Sequence, residues 1–396
     1  MGPVPDVPGF HVLAGFSIFG IVFGGGAGKY AAEWILEGQP GDSMWDVDVR
    51  RFGSYASGVS YTEARAKESY EREYAVRFPH EELTAGRPLR TDPLYDRLAA
   101  RGAVFGARSG WERPLFFTPD PGDADELSFR RSKWHDRVGE ECRAVARGVG
   151  VLDQTSFGTY VVSGRGATTL LDRLSANSLP AADGRIALTQ LCNQRGGVEC
   201  DLTVTRVSAD HYYVVSAAAT ETHDLAWITD HAPPTGVEVT NVTASVGVLT
   251  LAGPDSRTLL QRVARTDVSD AGIPFFRAVD THVGAAPVRV LRLSYVGELG
   301  YELHHPVEYQ RHLYDLLLDA DAHGWEPVQR DAAVVGHVTS GGYGHRVGRS
   351  LAFAYLPVEH AAPGTALSVE ILGSRRPAVV VAQPVYDPGN ERLRGG

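Results

Sequence analysis

The sequence predicts an α+β protein made of two similar α+β halves followed by a small C-terminal β-barrel. Three observations lead there. Between Phe129 and Asp319 the order strand, helix, hairpin, helix runs through twice. The two passes share local text, Gly164-Arg-Gly-Ala-Thr-Thr-Leu-Leu in the first and Gly253-Pro-Asp-Ser-Arg-Thr-Leu-Leu in the second. Beyond Trp325, short β-rich runs alternate with Gly/Pro turns.

The elements follow in order. Phe10-His-Val-Leu-Ala-Gly reads as a strand, Phe16–Gly28 as a glycine-rich loop and Lys29–Leu36 as a short helix. Glycines ahead of a helix N-terminus let backbone N–H groups approach an anion or a flat ring, although a tight strand-to-helix connection fits this lone signal better. Tyr61–Phe78 is a charged amphipathic helix, and the run from Arg90 to Pro121 reads as irregular. Val138, Cys142, Val145 and Ala146 share one helical face that Gly148 and Gly150 terminate. In the first half come the strand at Tyr160, the helix Gly166–Leu174, the hairpin joining Thr203–Val207 to His211–Val215, and the helix Thr220–Ile228. The second half repeats this with Val248–Gly253, the helix Pro254–Val263, the hairpin joining Val290–Tyr295 to Tyr301–His304, and the helix Glu308–Asp319. Ala333–Thr339, Ser350–Leu356, Leu367–Leu372 and Ala378–Ala382 are the barrel strands. Ligands prefer the cleft between two such halves.

Composition narrows the function. The chain has 396 residues, 43% of them hydrophobic, which suits a packed globular protein of two or three domains. A net charge of −10 argues against nucleic acid as a partner, because phosphate binding needs a basic face. Cys142, Cys192 and Cys200 form no CxxC pair, which fits a reducing compartment. Gly9–Gly26 is apolar but broken by His11 and has no Lys or Arg before it, so neither a signal peptide nor a membrane span is expected, and a cytoplasmic protein is.

Two hairpins carry the candidate chemistry. In Leu191-Cys-Asn-Gln-Arg-Gly-Gly-Val-Glu-Cys-Asp201, Gly196-Gly197 makes the turn and Asp201 opens a strand of otherwise apolar or β-branched residues. A carboxylate at a sheet edge suits charge stabilisation or proton transfer at a nitrogen centre; the same pattern also fits an Asp that only closes the turn. In Ser294-Tyr295-Val-Gly-Glu-Leu-Gly-Tyr-Glu302-Leu-His304, Tyr295 and Glu302 flank a glycine-bounded turn. There a Glu can accept paired N–H donors from a heteroaromatic ring and a Tyr can stack on it, although an exposed hairpin with a solvated carboxylate fits as well. Cys192 and Cys200 read as small core residues, and His304-His305 lacks a partner at metal-ligand spacing, so no metal is expected. Ser340-Gly-Gly-Tyr-Gly-His345-Arg346 is either a ligand loop or a barrel corner.

Several of these stretches resemble a known family. Trp134-His-Asp-Arg-Val-Gly-Glu-Glu, Asn193–Asp201, Tyr295–Glu302 and Val338-Thr-Ser-Gly-Gly-Tyr-Gly-His are similar to the folate-dependent half of dimethylglycine and sarcosine dehydrogenases, itself similar to the glycine-cleavage T-protein, an aminomethyltransferase. Val12-Leu-Ala-Gly-Phe, Phe23–Lys29 and Trp45–Phe52 resemble the end of the FAD-dependent oxidoreductase domain of those dehydrogenases. The resemblance implies an FAD-domain remnant over 1–55, a connecting region over 56–125, a shortened folate-binding domain over 126–327 and a barrel over 328–396.

It further implies a tetrahydrofolate-dependent one-carbon transferase. Asp201 takes the place of the catalytic aspartate, and Tyr295 and Glu302 take those of the pterin-contacting pair, with Leu303 and His304 beside them and Glu199 and Cys200 adjoining Asp201. The co-substrate is a small one-carbon donor, and the partner a flavoprotein subunit or a second copy; neither nucleic acid nor a membrane is a partner. The chain has no GxGxxG fingerprint, so bound FAD is not expected. Family members carry an Arg-Leu-Glu-Lys-Gly-like stretch after the second half, where here Gly324-Trp-Glu-Pro runs almost directly into Val328. The alternative function is therefore a non-catalytic folate-binding module or subunit that pairs with a flavoprotein amine dehydrogenase.

Overall fold

A computed structural model of the chain describes residues 1–5, 7–118, 127–321, 327–330, 333–344, 349–371 and 374–381. Each half is a five-stranded antiparallel sheet with two helices against one face. In the first sheet the strands run Glu238–Asn241, Gly158–Ser163, His211–Ser216, Val198–Ser208, Ile186–Cys192. In the second they run Gly150–Asp153, Val246–Ala252, Gly300–Pro306, Ala286–Arg292, Arg277–Val283. The two orders are the same once the edge strands are matched.

Those edge strands are exchanged. Gly150–Asp153 precedes the first half in the chain yet pairs with Val246–Ala252 of the second, while Glu238–Asn241 precedes the second half and pairs with Gly158–Ser163 of the first. Each crossing is held in the same way. After the first, Asp153 accepts from the N–H of Thr155, whose Oγ1 accepts the N–H of Val248 at 3.2 Å. After the second, Asn241 accepts from the N–H of Thr243, whose Oγ1 accepts the N–H of Thr159 at 2.9 Å. The residue opening the last helix of each half completes the crossing: Gln310 donates to Asp153 and Thr155, and Glu221 accepts from Asn241. These hydroxyls satisfy backbone groups that a chain leaving its sheet would otherwise bury unpaired.

Two cores result, one on the helix-facing side of each sheet. Ala167, Leu170, Leu171 and Leu174, spaced three and four apart, meet Tyr160, Leu202, Tyr212 and Val214 in the first. Leu259, Leu260, Leu313 and Leu317 meet Leu249, Leu251, Val290, Tyr301 and Leu303 in the second. The opposite faces of the two sheets turn toward each other. They are stitched at one edge by Ile186 N–H to Phe276 O (3.0 Å) and Ala278 N–H to Gly184 O (2.7 Å). Gly184 sits at φ +76°, and a Cβ there would stand 2.9 Å from that Ala278 oxygen, so the stitch requires glycine.

The first 118 residues wrap this pair. Arg50 bonds Asp48 and reaches Asp230, and Arg90 bonds Glu221 while stacking on Trp111 at 4.1 Å. Leu94 and Leu98 enter the second core. The supposedly irregular run contains the helix Tyr95–Ala100 and the hairpin Ala103–Arg108/Trp111–Phe117. The glycine-rich loop expected at Phe16–Gly28 is instead the first part of one helix, Gly20–Glu37, docked by Ala27, Ala31 and Trp34. These three lie four and three apart on one face, an anchor sufficient to carry the helix through glycines that each cost ~1 kcal/mol relative to Ala. A Cβ on Gly24, Gly25, Gly26 or Gly28 would meet no atom within 4 Å from other parts of the described chain.

After the second half, the strands Arg349–Tyr355, Ala333–Gly344, Pro327–Arg330, Ala366–Ile371 and Ser374–Val379 form an antiparallel sheet in that order. Ser340–Gly344 lie within its longest strand, and His345-Arg346 lie outside the described residues. Among the described residues no helix is long and apolar enough to cross a membrane.

Candidate functional site

Strand alternation decides which side chains enter the space between the sheets. In Val198–Ser208, Cys200, Leu202 and Val204 go into the helix-facing core, so Asp201, Thr203 and Thr205 face the second sheet. Tyr213 pairs in register with Thr205 and joins them, as does Gln190, which pairs with Asp201. In Gly300–Pro306, Tyr301 and Leu303 enter the second core, which turns Glu302 and His304 toward the first sheet. Arg289 pairs with His304, and Thr250 with Glu302. Asp201 and Glu302 therefore stand on facing surfaces of one inter-sheet cleft.

A buried polar chain crosses that cleft. Tyr213 Oη lies 2.8 Å from His304 Nδ1, and His304 Nε2 lies 3.0 Å from Glu302 Oε2. A carboxylate only accepts, so Nε2 carries the proton and Nδ1 accepts from the phenol. Burial pushes the Tyr213 hydroxyl far up, against the pull of Arg289 over its ring, and keeps it a donor. Arg289 is itself held by Asp280 at 2.7 Å. Only Oε2 of Glu302 is engaged among the described residues, which leaves Oε1 as an acceptor. Thr205 Oγ1 is buried on the same wall with no partner among the described residues. Asp201 is exposed at the rim and takes one bond, from Gln190 Nε2 at 2.8 Å.

The deep end of the cleft is apolar, where Ile186 meets Ala278, Leu291 and Leu293. Along the seam beside it lies an open hollow of about 470 Å³, lined by residues 178–182, Arg185, Ile186, Ala187 and Arg277.

The structure divides the residues selected from the sequence. Asp201, Glu302 and His304 share the cleft. Leu303 does not, because it is one residue from Glu302 and so points into the second core. Cys200 is likewise turned into the first core, where burial pushes its thiol far up. Glu199 is the extra residue of a bulge, since Leu191 pairs with Cys200 and Cys192 with Val198. Its carboxylate reaches back to His223, 3.4 Å away on the helix Glu221–Asp230. Tyr295 is 87% exposed in the turn at residues 293–299 between the two strands, whereas Glu302 is buried. Tyr213, Arg289 and Thr250 belong to the cleft and are not among the residues singled out from sequence; the evenly buried run His211–Ser216 carries no signal for Tyr213.

Residues 94–335 match the GCVT N-terminal domain, 311–387 the glycine cleavage T-protein C-terminal barrel domain, and 37–91 the FAD dependent oxidoreductase central domain. Human mitochondrial dimethylglycine dehydrogenase is 31% identical over 481 residues, covering 100% of this chain and 55% of that protein. The mouse mitochondrial pyruvate dehydrogenase phosphatase regulatory subunit is 32% identical over 323 residues, covering 80% of this chain and 37% of that protein. The chain thus spans about half the length, or less, of these curated relatives. Among solved structures, the glycine cleavage system aminomethyltransferase T from Bartonella henselae aligns with a TM-score of 0.47 at 20% identity, covering 76% of this chain and 99% of that one.

Proposed function

Starting from a chain that belongs to the glycine cleavage T-protein family, we propose that its inter-sheet cleft binds tetrahydrofolate and passes it a one-carbon unit from an amine-derived donor. The observation that carries this reading is that strand alternation turns an exposed carboxylate, Asp201 of the first sheet, and a buried one, Glu302 of the second, toward the same inter-sheet space, together with a Thr205 hydroxyl that has no partner among the described residues. The donor set suits a reduced pterin. Tetrahydrofolate supplies ring nitrogens that receive the carbon. Glu302 Oε1 accepts N–H groups from the ring edge, and Tyr213 and His304 fix the direction of that carboxylate. Asp201, solvated at the rim, stabilises positive charge developing on the incoming carbon, takes the proton released as the folate nitrogen bonds that carbon, and returns it to the donor nitrogen as the donor carbon–nitrogen bond breaks and the amine leaves.

Calorimetric titration with tetrahydrofolate tests the site. Binding is expected to weaken tenfold or more, about 1.4 kcal/mol, in Glu302→Gln. Asp201→Asn is expected to keep binding and lose transfer. No heat at millimolar ligand, or binding indifferent to Glu302→Gln, removes the proposal.

A second reading is a non-catalytic subunit that pairs with a flavoprotein. Two observations favour it. The helix Gly20–Glu37 leaves Ile21, Val22, Phe23, Ile35 and Leu36 in solvent, next to the segment that matches an FAD dependent oxidoreductase domain. One relative of similar identity is named as a regulatory subunit. Tetrahydrofolate binding without transfer by the wild type, together with co-elution of a flavoprotein, would select this reading.

A further inference from the structure

The reverse side of the first sheet holds a second cluster, independent of the folate reading. Cys200, on the strand that carries Asp201, faces His223 and Asp224 on the helix Glu221–Asp230. One ligand atom from each, the thiol sulfur, a ring nitrogen and a carboxylate oxygen, lies within 4.8 Å of the other two. Asp224 is 0% exposed, and its bonds come from Thr220 Oγ1 at 2.7 Å and His223 Nδ1 at 3.1 Å. No Lys or Arg among the described residues pairs with it. A carboxylate so withdrawn from water calls for a cation. The other ring nitrogen, Nε2, stands 3.4 Å from Glu199 Oε2, which the bulge has turned to this side, and Asn193 Nδ2 steadies Glu199 from 2.8 Å. The rings of Trp45, edge-on at 4.8 Å, and Trp227, near-parallel at 6.4 Å, flank His223.

We propose that Cys200 Sγ, His223 Nδ1 and an Asp224 oxygen bind a divalent transition-metal ion of the zinc type, with Glu199 accepting the Nε2–H of His223 from outside the coordination sphere. One sulfur, one imidazole nitrogen and one carboxylate oxygen form a ligand set that Zn²⁺ accepts in tetrahedral geometry, with a fourth position for water. A thiolate and a carboxylate together balance a dication, so burying the filled site carries no net charge. A carboxylate on the far nitrogen of a metal-bound histidine fixes its tautomer and ring orientation, and Glu199 stands in that position, 3.4 Å from Nε2. Thr220 holds the second oxygen of Asp224 in the same manner. The ion ties the strand bearing Asp201 to the helix behind it, which makes it a structural clip one residue from the cleft.

Zinc content of the purified full-length chain and cobalt(II) titration of the chelator-treated protein test this. One equivalent of metal and a thiolate-to-cobalt charge-transfer band in the near ultraviolet are expected for the wild type. The chain has three cysteines, so the band must vanish in Cys200→Ser and survive in Cys142→Ser and Cys192→Ser. His223→Gln supplies the same reading should Cys200→Ser fail to fold. Glu199→Gln is expected to keep the band and weaken cobalt binding about 10–100-fold. A wild type that takes up no metal, or a band that persists without Cys200, overturns the site; affinity unchanged in Glu199→Gln overturns the orienting role.

Discussion

Tyr213 and His304 join the two halves across the cleft, their rings edge-on at 86° with centroids 5.4 Å apart and the phenol 2.8 Å from Nδ1. Tyr213 sits on the central strand of the first sheet, at the register position that Glu302 holds on the central strand of the second. One hydrogen-bonded chain thus couples equivalent strands of the repeat, and the acidic group proposed to meet the pterin stands at its end.

Tyr213→Phe keeps the ring and its packing but leaves His304 Nδ1 buried without a donor. The expected cost is about 1–3 kcal/mol, that of an unsatisfied buried acceptor. It reads out as a lower denaturant midpoint at unchanged slope. Tetrahydrofolate affinity is expected to fall as well, because His304 no longer aims Glu302. A midpoint equal to wild type would mean that the phenol bond contributes nothing.

Much of this arrangement was legible in the sequence. The helices of both halves announced themselves by spacing, as with Leu170, Leu171 and Leu174, and the hairpins by their turns at Ala209-Asp210 and Val296–Gly300. Asp201 stands out as a carboxylate opening an otherwise apolar or β-branched strand, and Glu302 as one that flanks a glycine-bounded turn. Leu303 and Cys200 were misplaced because neighbours in a strand point to opposite faces, so adjacency in the chain is separation in space. Tyr213 escaped notice because His211–Ser216 is buried on both faces and shows no polar alternation. The exchanged edge strands were invisible for a different reason. The partner of the strand Gly150–Asp153 lies beyond an entire half, and no local pattern encodes a non-local pairing.

Asp153 makes stability depend on pH. Its Oδ1 accepts from Thr155 and Gln310, while the buried Oδ2 meets no donor among the described residues and bonds the neighbouring Asp92 carboxylate only when it carries a proton. Burial first, and the nearby Asp92 carboxylate second, push its pKa up to about 7. Unfolded, the group titrates near ~3.9. Between these values the folded protein holds more protons than the unfolded chain, so this contribution is complete below about pH 4 and is lost as pH rises through 7. Asp153→Asn removes the dependence and places an N–H where Asp92 needs a donor, as Asn241 already does toward Glu221 in the other half. The variant is expected to be more stable than wild type at pH 8 by roughly 2–4 kcal/mol and to lose that advantage near pH 4. Parallel curves across the range would show that Asp153 does not titrate in it.

The outer face of Gly20–Glu37 is expected to tolerate charge. Ile21 is 98% exposed and Leu36 81% exposed, so Ile21→Lys with Leu36→Glu should shift the unfolding free energy of the isolated chain by less than ~0.5 kcal/mol. If the face docks a partner or a second copy, the same pair abolishes concentration-dependent association in sedimentation velocity. Association that survives the double substitution places the contact elsewhere.

The strand exchange makes a prediction about cooperativity. Two halves with separate cores would ordinarily be free to unfold in two steps, each with its own midpoint. Here the edge of each sheet is lent by the segment leading into the other half, and the lending points are Thr155 and Thr243, whose hydroxyls pair with the backbone of Val248 and Thr159. Loss of either half strips a strand from its neighbour and exposes an unpaired edge. The halves are therefore expected to unfold together, with the fluorescence of a variant that keeps Trp227, in the first half, as the only one of the six tryptophans and far-ultraviolet dichroism of the whole chain tracing one curve. Thr243→Val, which leaves the Thr159 N–H buried and unpaired, is expected to cost about 1–3 kcal/mol. If the exchange couples the halves, that loss moves both signals by the same amount; a fluorescence transition that shifts alone would show each half standing by itself.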